Sequence, residues 1–371
     1  MKKIFQFFVL LMLVTSCSKE SNDVTEPDNN FDRKALLSNW AENIIVPSFV
    51  DYQSKTAALV TEINMFNNNP TTENLEMVRR SWIAAYKSYQ HVSMFSFGKA
   101  DEIYFKEATN TYPTDTAGIE SNVAFGTHDL SKPSQFSKQG LPALDYLLNG
   151  LATTDASQLE YYSTNINAMN YRKYLADVAN KLQSNADLIL LDWNSGFKEK
   201  FIAGTDSSVS GFVNIMTNNF VKNLEKDIRT GKLGIPSGVF SGGILYPNKV
   251  ESYYKNDISK TLLSESLKAA RDFFNGKHFN SNTVGESLKS YLDFVNANRD
   301  NQKLSSVIDN QFATTLSVNN NLNDSFSMQI SSDNSKMIAS YDALQRNVIY
   351  TKLDMMQALN ISIDYVDSDG D

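Results

Sequence analysis

The sequence predicts an all-α protein built as two packed helical bundles. Three observations point there. Apolar residues recur at steps of three and four through most of the chain beyond residue 31. No pair of alternating apolar and polar runs is joined by a hairpin turn, so a sheet is not expected. A polar, glycine-containing stretch at 204–208 interrupts the helical pattern and divides the body into 31–203 and 204–371.

The elements follow in chain order. Lys2 and Lys3 precede an apolar run over 4–14, the layout of a signal peptide ending at residue 16 and too short for a stable membrane span. Leu13-Val14-Thr15-Ser16-Cys17 has the form of a lipobox, which makes Cys17 the expected lipid attachment point. Several acyl chains, at about 0.8 kcal/mol per buried methylene, would hold the protein on a membrane. Serine rather than aspartate at position 18 reads as an outer-membrane address, with the body periplasmic or surface-exposed. Residues 17–30 are polar and acidic and read as the lipidated cysteine and a flexible tether.

In the first half, Leu36, Trp40 and Ile44 step by four until Pro47, which is expected to break or kink that helix. Ala57, Val60 and Ile63 continue the pattern, residues 67–70 form a turn, and Thr71 or Thr72 starts the next helix. Trp82, Tyr86 and Tyr89 then share one helix face. Residues 99–139 show no sustained period and read as a long loop covering a site. A helix is expected from 158 to 193. The second half carries Val213, Met216, Phe220 and Leu224, then a Gly/Pro/Ser-rich segment over 231–247. Helices around 262–274, 284–295 and 304–316 follow, then a long one over 333–359 and an extended tail.

Composition limits the chemistry. The chain is 42% hydrophobic and carries a net charge of −8, which supports a sizeable core and disfavours nucleic acid as a partner. Cys17 is the one cysteine, so the body has neither a disulfide framework nor a thiolate metal site. The three histidines, His91, His128 and His278, form no His-Glu-x-x-His helix. No serine sits in a Gly-x-Ser-x-Gly elbow, and the glycines near 238–243 follow no strand in a phosphate-loop pattern. A bound metal would need carboxylates and carbonyls, with Asp101, Glu102, Asp145 and Glu251 as candidate ligands. A divalent metal or iron is the cofactor such hard ligands suit. The competing reading has Asp145 capping or pairing at a helix junction, and Asp101 and Glu102 solvated.

One segment stands out: Gly140-Leu141-Pro142-Ala143-Leu144-Asp145-Tyr146-Leu147-Leu148. Gly140 frees the backbone, Pro142 suits a first helical turn, and Asp145 lies in an apolar run where an acid needs a partner. The segment resembles the Gly-x-His-x-x-Glu signature of the imelysin family, with Pro142 in place of the histidine and Asp145 in place of the glutamate. Similar landmarks occur at Asn39-Trp40 with 43–47, at 82–90 with 95–101, at 246–253 and at 353–360, so the resemblance spans nearly the whole mature chain.

The resemblance implies two bundles with a site where they meet, and a link to iron or haem uptake. Within it, Gly140 would shape the mouth of a pocket and Asp145 its acidic centre. Trp82 and Tyr246 would supply walls, and Lys249, Glu251 and Arg346 polar contacts. The expected function is a non-catalytic ligand- or metal-binding envelope lipoprotein, partnered by the membrane and by iron- or haem-uptake components. The alternative is a metallopeptidase of the imelysin type, which the missing histidine counts against.

Overall fold

Asp32 accepts the Ala35 N–H at 2.8 Å and so caps the first helix, α1 (Arg33–Ser38), of a computed structural model that describes residues 31–365. The expected signal segment, Cys17, the tether and the last six residues lie outside the described residues. Helix α1 runs into a wider π-helical stretch (Asn39–Ile45) and then α2 (Val46–Asn68). Pro47 therefore neither ends nor starts a separate rod. Its missing N–H falls where the turn has already widened, and Ser48 donates to the Ile44 carbonyl at 2.6 Å. Thr71 caps α3 (Thr72–Tyr89) through the Asn74 N–H.

The stretch expected to be one loop holds α4 (Lys99–Glu102), α5 (Phe105–Asn110), α6 (Thr116–Phe125) and a 3₁₀ turn (Pro133–Lys138). These pieces are too short to show a period. Then come α7 (Gly140–Asn149), α8 (Asp155–Ser163), α9 (Ala168–Asp192) and α10 (Lys198–Ala203). The single helix expected over 158–193 is thus two, broken after Ser163. The second half comprises α11 (Phe212–Lys222), a π-helical continuation (Asn223–Gly234), α12 (Ser259–Phe274), α13 (Leu288–Phe294), α14 (Leu304–Asn319), α15 (Phe326–Asp333), α16 (Ser335–Val348) and α17 (Met356–Ala358). The protein is all-α, as the sequence predicts. Among the described residues the sheet is one two-residue antiparallel hairpin, Asn298–Arg299 with Gln302–Lys303, turned by Asp300 and Asn301 at positive φ, beside an isolated bridge between Lys277 and Val284.

In the first half α2 packs on α3 and α9, with α7 against both α3 and α9. In the second, α16 packs on the 223–234 helix and on α14, and α14 packs on α12. The two halves share one apolar core. Phe273 of α12 stacks on Trp40 with centroids 5.0 Å apart, and Phe95 and Phe220 close around it at 6.0 and 5.5 Å. The start of the chain sits with the second half: Phe31 stacks on Tyr291, and Asn39 donates to the Gly276 and Glu286 carbonyls. After Leu359 the chain leaves the helix, and Asn218 holds it by bonding the Ser362 carbonyl and the Asp364 N–H. Among the described residues no helix is long and apolar enough to cross a membrane.

Candidate functional site

Two buried polar centres join the halves, and α7 builds the first. Gly140 has φ +80°, and a Cβ there would overlap the Thr109 carbonyl, so glycine alone lets α7 start against the end of α5. Trp82 of α3 is fully buried and donates its Nε1 to the Leu141 carbonyl at 3.0 Å, tying α3 to the first turn of α7. One turn on, Asp145 is 1% exposed. Its Oδ2 accepts the Tyr254 N–H at 2.9 Å, and its Oδ1 accepts the Lys255 N–H at 2.8 Å and the Asn149 side chain at 3.1 Å. Burial pushes the Asp145 carboxyl up to about 7, against the pull of those donors and of Lys255. Asp145 is a latch that fastens α7 to the 252–255 turn of the second half.

The second centre is Glu251, 2% exposed. Lys232 of the 223–234 helix pairs with its Oε2 and donates to Gln90 at 3.0 Å. Gln90, just past α3, and Asn110, at the end of α5, donate to Oε1 at 3.3 and 2.8 Å. Tyr86 donates to Asn110 at 2.6 Å. The network therefore runs Tyr86–Asn110–Glu251–Lys232–Gln90 and crosses from one half to the other.

This network backs onto open space. A cleft of about 450 Å³ lies between the end of α3, α5, the Tyr112-Pro113 step and the 223–234 helix. Gln90, Asn110 and Lys232 form part of its wall; Lys106, Lys226, Asp227 and Lys249 also line it. Lys106 pairs with Asp227 at 2.5 Å, and Asp227 also accepts from Asn223 at 3.2 Å. Lys249 lies over the ring of half-buried Tyr246, 3.9 Å from its centroid. Burial first, then the charges of Glu251 and Asp227, hold the Tyr112 phenol well above its usual range, so it stays a neutral donor.

Of the residues expected to form the pocket, Glu251 and Lys249 fall at this cleft, with Tyr246 beneath Lys249. Four others do not. Asp145 and Trp82 are buried in the packing of α7 and do not line this cleft. Arg346 is exposed on α16 and is not part of the cleft wall. Gly140 shapes a helix–helix contact, not a mouth.

The expected metal set also stays apart. Asp145 faces N–H donors, and Glu251 faces an amine and two amides. Asp101 is exposed beside a recess of about 60 Å³ adjoining the cleft, and exposed Glu102 pairs with Lys99. Among the described residues no three His, Cys, Asp or Glu side chains converge, and a hard cation does not fit oxygens already pointed at N–H groups. His91 bonds Glu265 at 3.2 Å and His128 bonds Asp177 at 2.9 Å, so neither stands in for the histidine missing at Pro142.

Sequence reading missed Lys232, Gln90, Asn110, Tyr112, Lys106 and Asp227. Two signals pointed near them: the landmark at 246–253, which holds Lys249 and Glu251, and the aromatic face of α3, whose Tyr86 and Tyr89 adjoin the network and the cleft.

The family model for imelysin (peptidase M75) matches residues 45–348. An iron-regulated protein A from Synechococcus elongatus is 22% identical over 298 residues, covering 76% of this chain and 75% of that protein. A crystal structure from Parabacteroides distasonis, described as a candidate iron-regulated protein A precursor, superposes with a TM-score of 0.71 at 15% identity, over 88% of this chain and 95% of that one. An imelysin-like protein from Psychrobacter arcticum gives 0.65 at 15% identity, over 90% and 97%.

Proposed function

The chain belongs to the imelysin family, and we propose that it acts as an iron-linked, non-catalytic binding protein of the cell envelope, with the cleft between its halves as the binding site. The observation that carries this reading is the make-up of the cleft. Its wall offers amines, amides and phenols, and its one lining carboxylate, Asp227, is committed to Lys106. Hydrolysis needs a positioned base and an activated water. Asp145 and Glu251, the acids nearest that role, are held by hydrogen bonds on both oxygens. The iron link is supported by kinship to a protein named as iron-regulated.

In this reading Cys17 carries the lipid, residues 18–30 tether the body, and the outer membrane is its address; the run from Leu13 to Cys17 supports the lipid and Ser18 the address. Its partners are that membrane and components of iron or haem uptake.

The test is calorimetric titration with Fe²⁺, Fe³⁺, Ca²⁺, Zn²⁺ and haem, beside a protease assay with and without chelator. Saturable binding without cleavage is expected. Chelator-sensitive cleavage of a protein substrate would contradict the reading.

A further inference from the structure

We infer that the inter-half cleft takes a small polyanion, a compact molecule bearing two or more carboxylate or phosphoryl groups, whose charges are shared between lysines of the two halves. The inference rests on the binding reading above and names the chemistry of that same site.

Charge carries it first. The chain as a whole is acidic, at −8, yet four amines, Lys106, Lys226, Lys232 and Lys249, line one cleft. Among the described residues Asp227 pairs with Lys106 and Glu251 with Lys232, and Asp101 and Glu107 border the adjoining recess rather than the cleft itself. A concavity whose lining carries four amines and one carboxylate favours anions over cations at that spot. The arrangement of the amines comes second. Lys106 stands on α5 in the first half, whereas Lys232 and Lys249 come from the second. Anionic groups facing opposite walls satisfy both sets at once, which a single-charge ligand does not. Neutral donors complete the lining: Asn110 and Gln90 present amides, and Tyr112 a protonated phenol. A volume of about 450 Å³ is that of a small-molecule site.

Lys232 is the wrong residue to substitute, because its loss would leave Glu251 buried without its cation. Lys106 and Lys249 are more exposed and serve as probes. Citrate and inorganic pyrophosphate would be titrated into the full chain and into Lys106→Gln, Lys249→Gln and Lys132→Gln. The last replaces an exposed lysine outside the cleft. Loss of one charge-assisted bond is expected to weaken binding about tenfold for Lys106→Gln or Lys249→Gln. Lys132→Gln should bind as the parent does, and added salt should weaken binding throughout.

Citrate binding without pyrophosphate assigns a carboxylate ligand; the converse assigns a phosphoryl one. Failure of both polyanions, or binding indifferent to Lys106 and Lys249, overturns the inference. Ferric ion or haem binding alone, insensitive to both lysines, overturns the polyanion and leaves the binding reading standing. No binding by any of these probes removes both.

Discussion

Asp145 and Glu251 are both acids buried where the halves meet, and they do opposite things. Asp145 faces two backbone N–H groups and an amide, and it is not part of the cleft wall. Glu251 faces a lysine and two amides that are themselves the wall of a cleft. The first fixes one element to another. The second leaves an amine and two amides poised at a space a ligand can enter. Burial of an acid in a shared junction is therefore not a site by itself; what its partners border decides.

Substitutions separate the two centres. The largest effect is expected from Glu251→Ala. It strands Lys232 as a buried unpaired cation, and breaking such a pair costs about 3–5 kcal/mol. Chemical denaturation should show it as a large fall in midpoint, and an unchanged midpoint would mean the pair is not buried in solution. Gly140→Ala strikes the latch side. A side chain at φ +80° against the Thr109 carbonyl should cost about 1–3 kcal/mol or more, with α7 displaced.

Asp145→Asn comes next, at about 1–3 kcal/mol, because one of its two facing backbone donors loses its acceptor. It also carries a pH signature. The folded carboxyl titrates near 7, above its unfolded value of 3.8, so the folded state binds the proton more tightly. That contribution is complete below pH 3.8 and is lost as pH rises through 7. The stability difference between parent and Asp145→Asn should therefore shift against the parent across this window, and a flat difference would mean burial does not dominate at Asp145. Lys249→Gln should be the mildest, within about 1 kcal/mol, since it removes an amine from the face of a half-buried ring.

The fold was largely legible because helices of three or more turns print their period in the sequence. The face of Trp82, Tyr86 and Tyr89 is one such case, and all three are buried. The pieces between 99 and 139 were not, since helices of four to ten residues show too little repeat. The break after Ser163 escaped for another reason: polar residues on both sides look like the outer face of a single rod.

At the site, the need of Asp145 for a partner was readable from its apolar neighbours, but not that the partner would be the backbone of residues 254 and 255. Glu251 and Lys249 were reached through the family landmark at 246–253. Lys232 was invisible. In the 223–234 helix Glu225, Arg229 and Lys232 look solvated, yet all three are buried. Glu225 and Arg229 face each other within the helix, but further partners come from elsewhere in the chain, as with Lys352 against Glu225 at 2.9 Å and Glu251 against Lys232.

The most direct measurement is a parallel pyrophosphate and citrate titration of Asp145→Asn and Lys249→Gln, each with its denaturation midpoint. The account predicts that Asp145→Asn loses stability and keeps parental affinity, while Lys249→Gln keeps stability and loses affinity. Affinity lost with Asp145→Asn and kept with Lys249→Gln would contradict it, placing the ligand at the latch and not in the lysine-lined cleft.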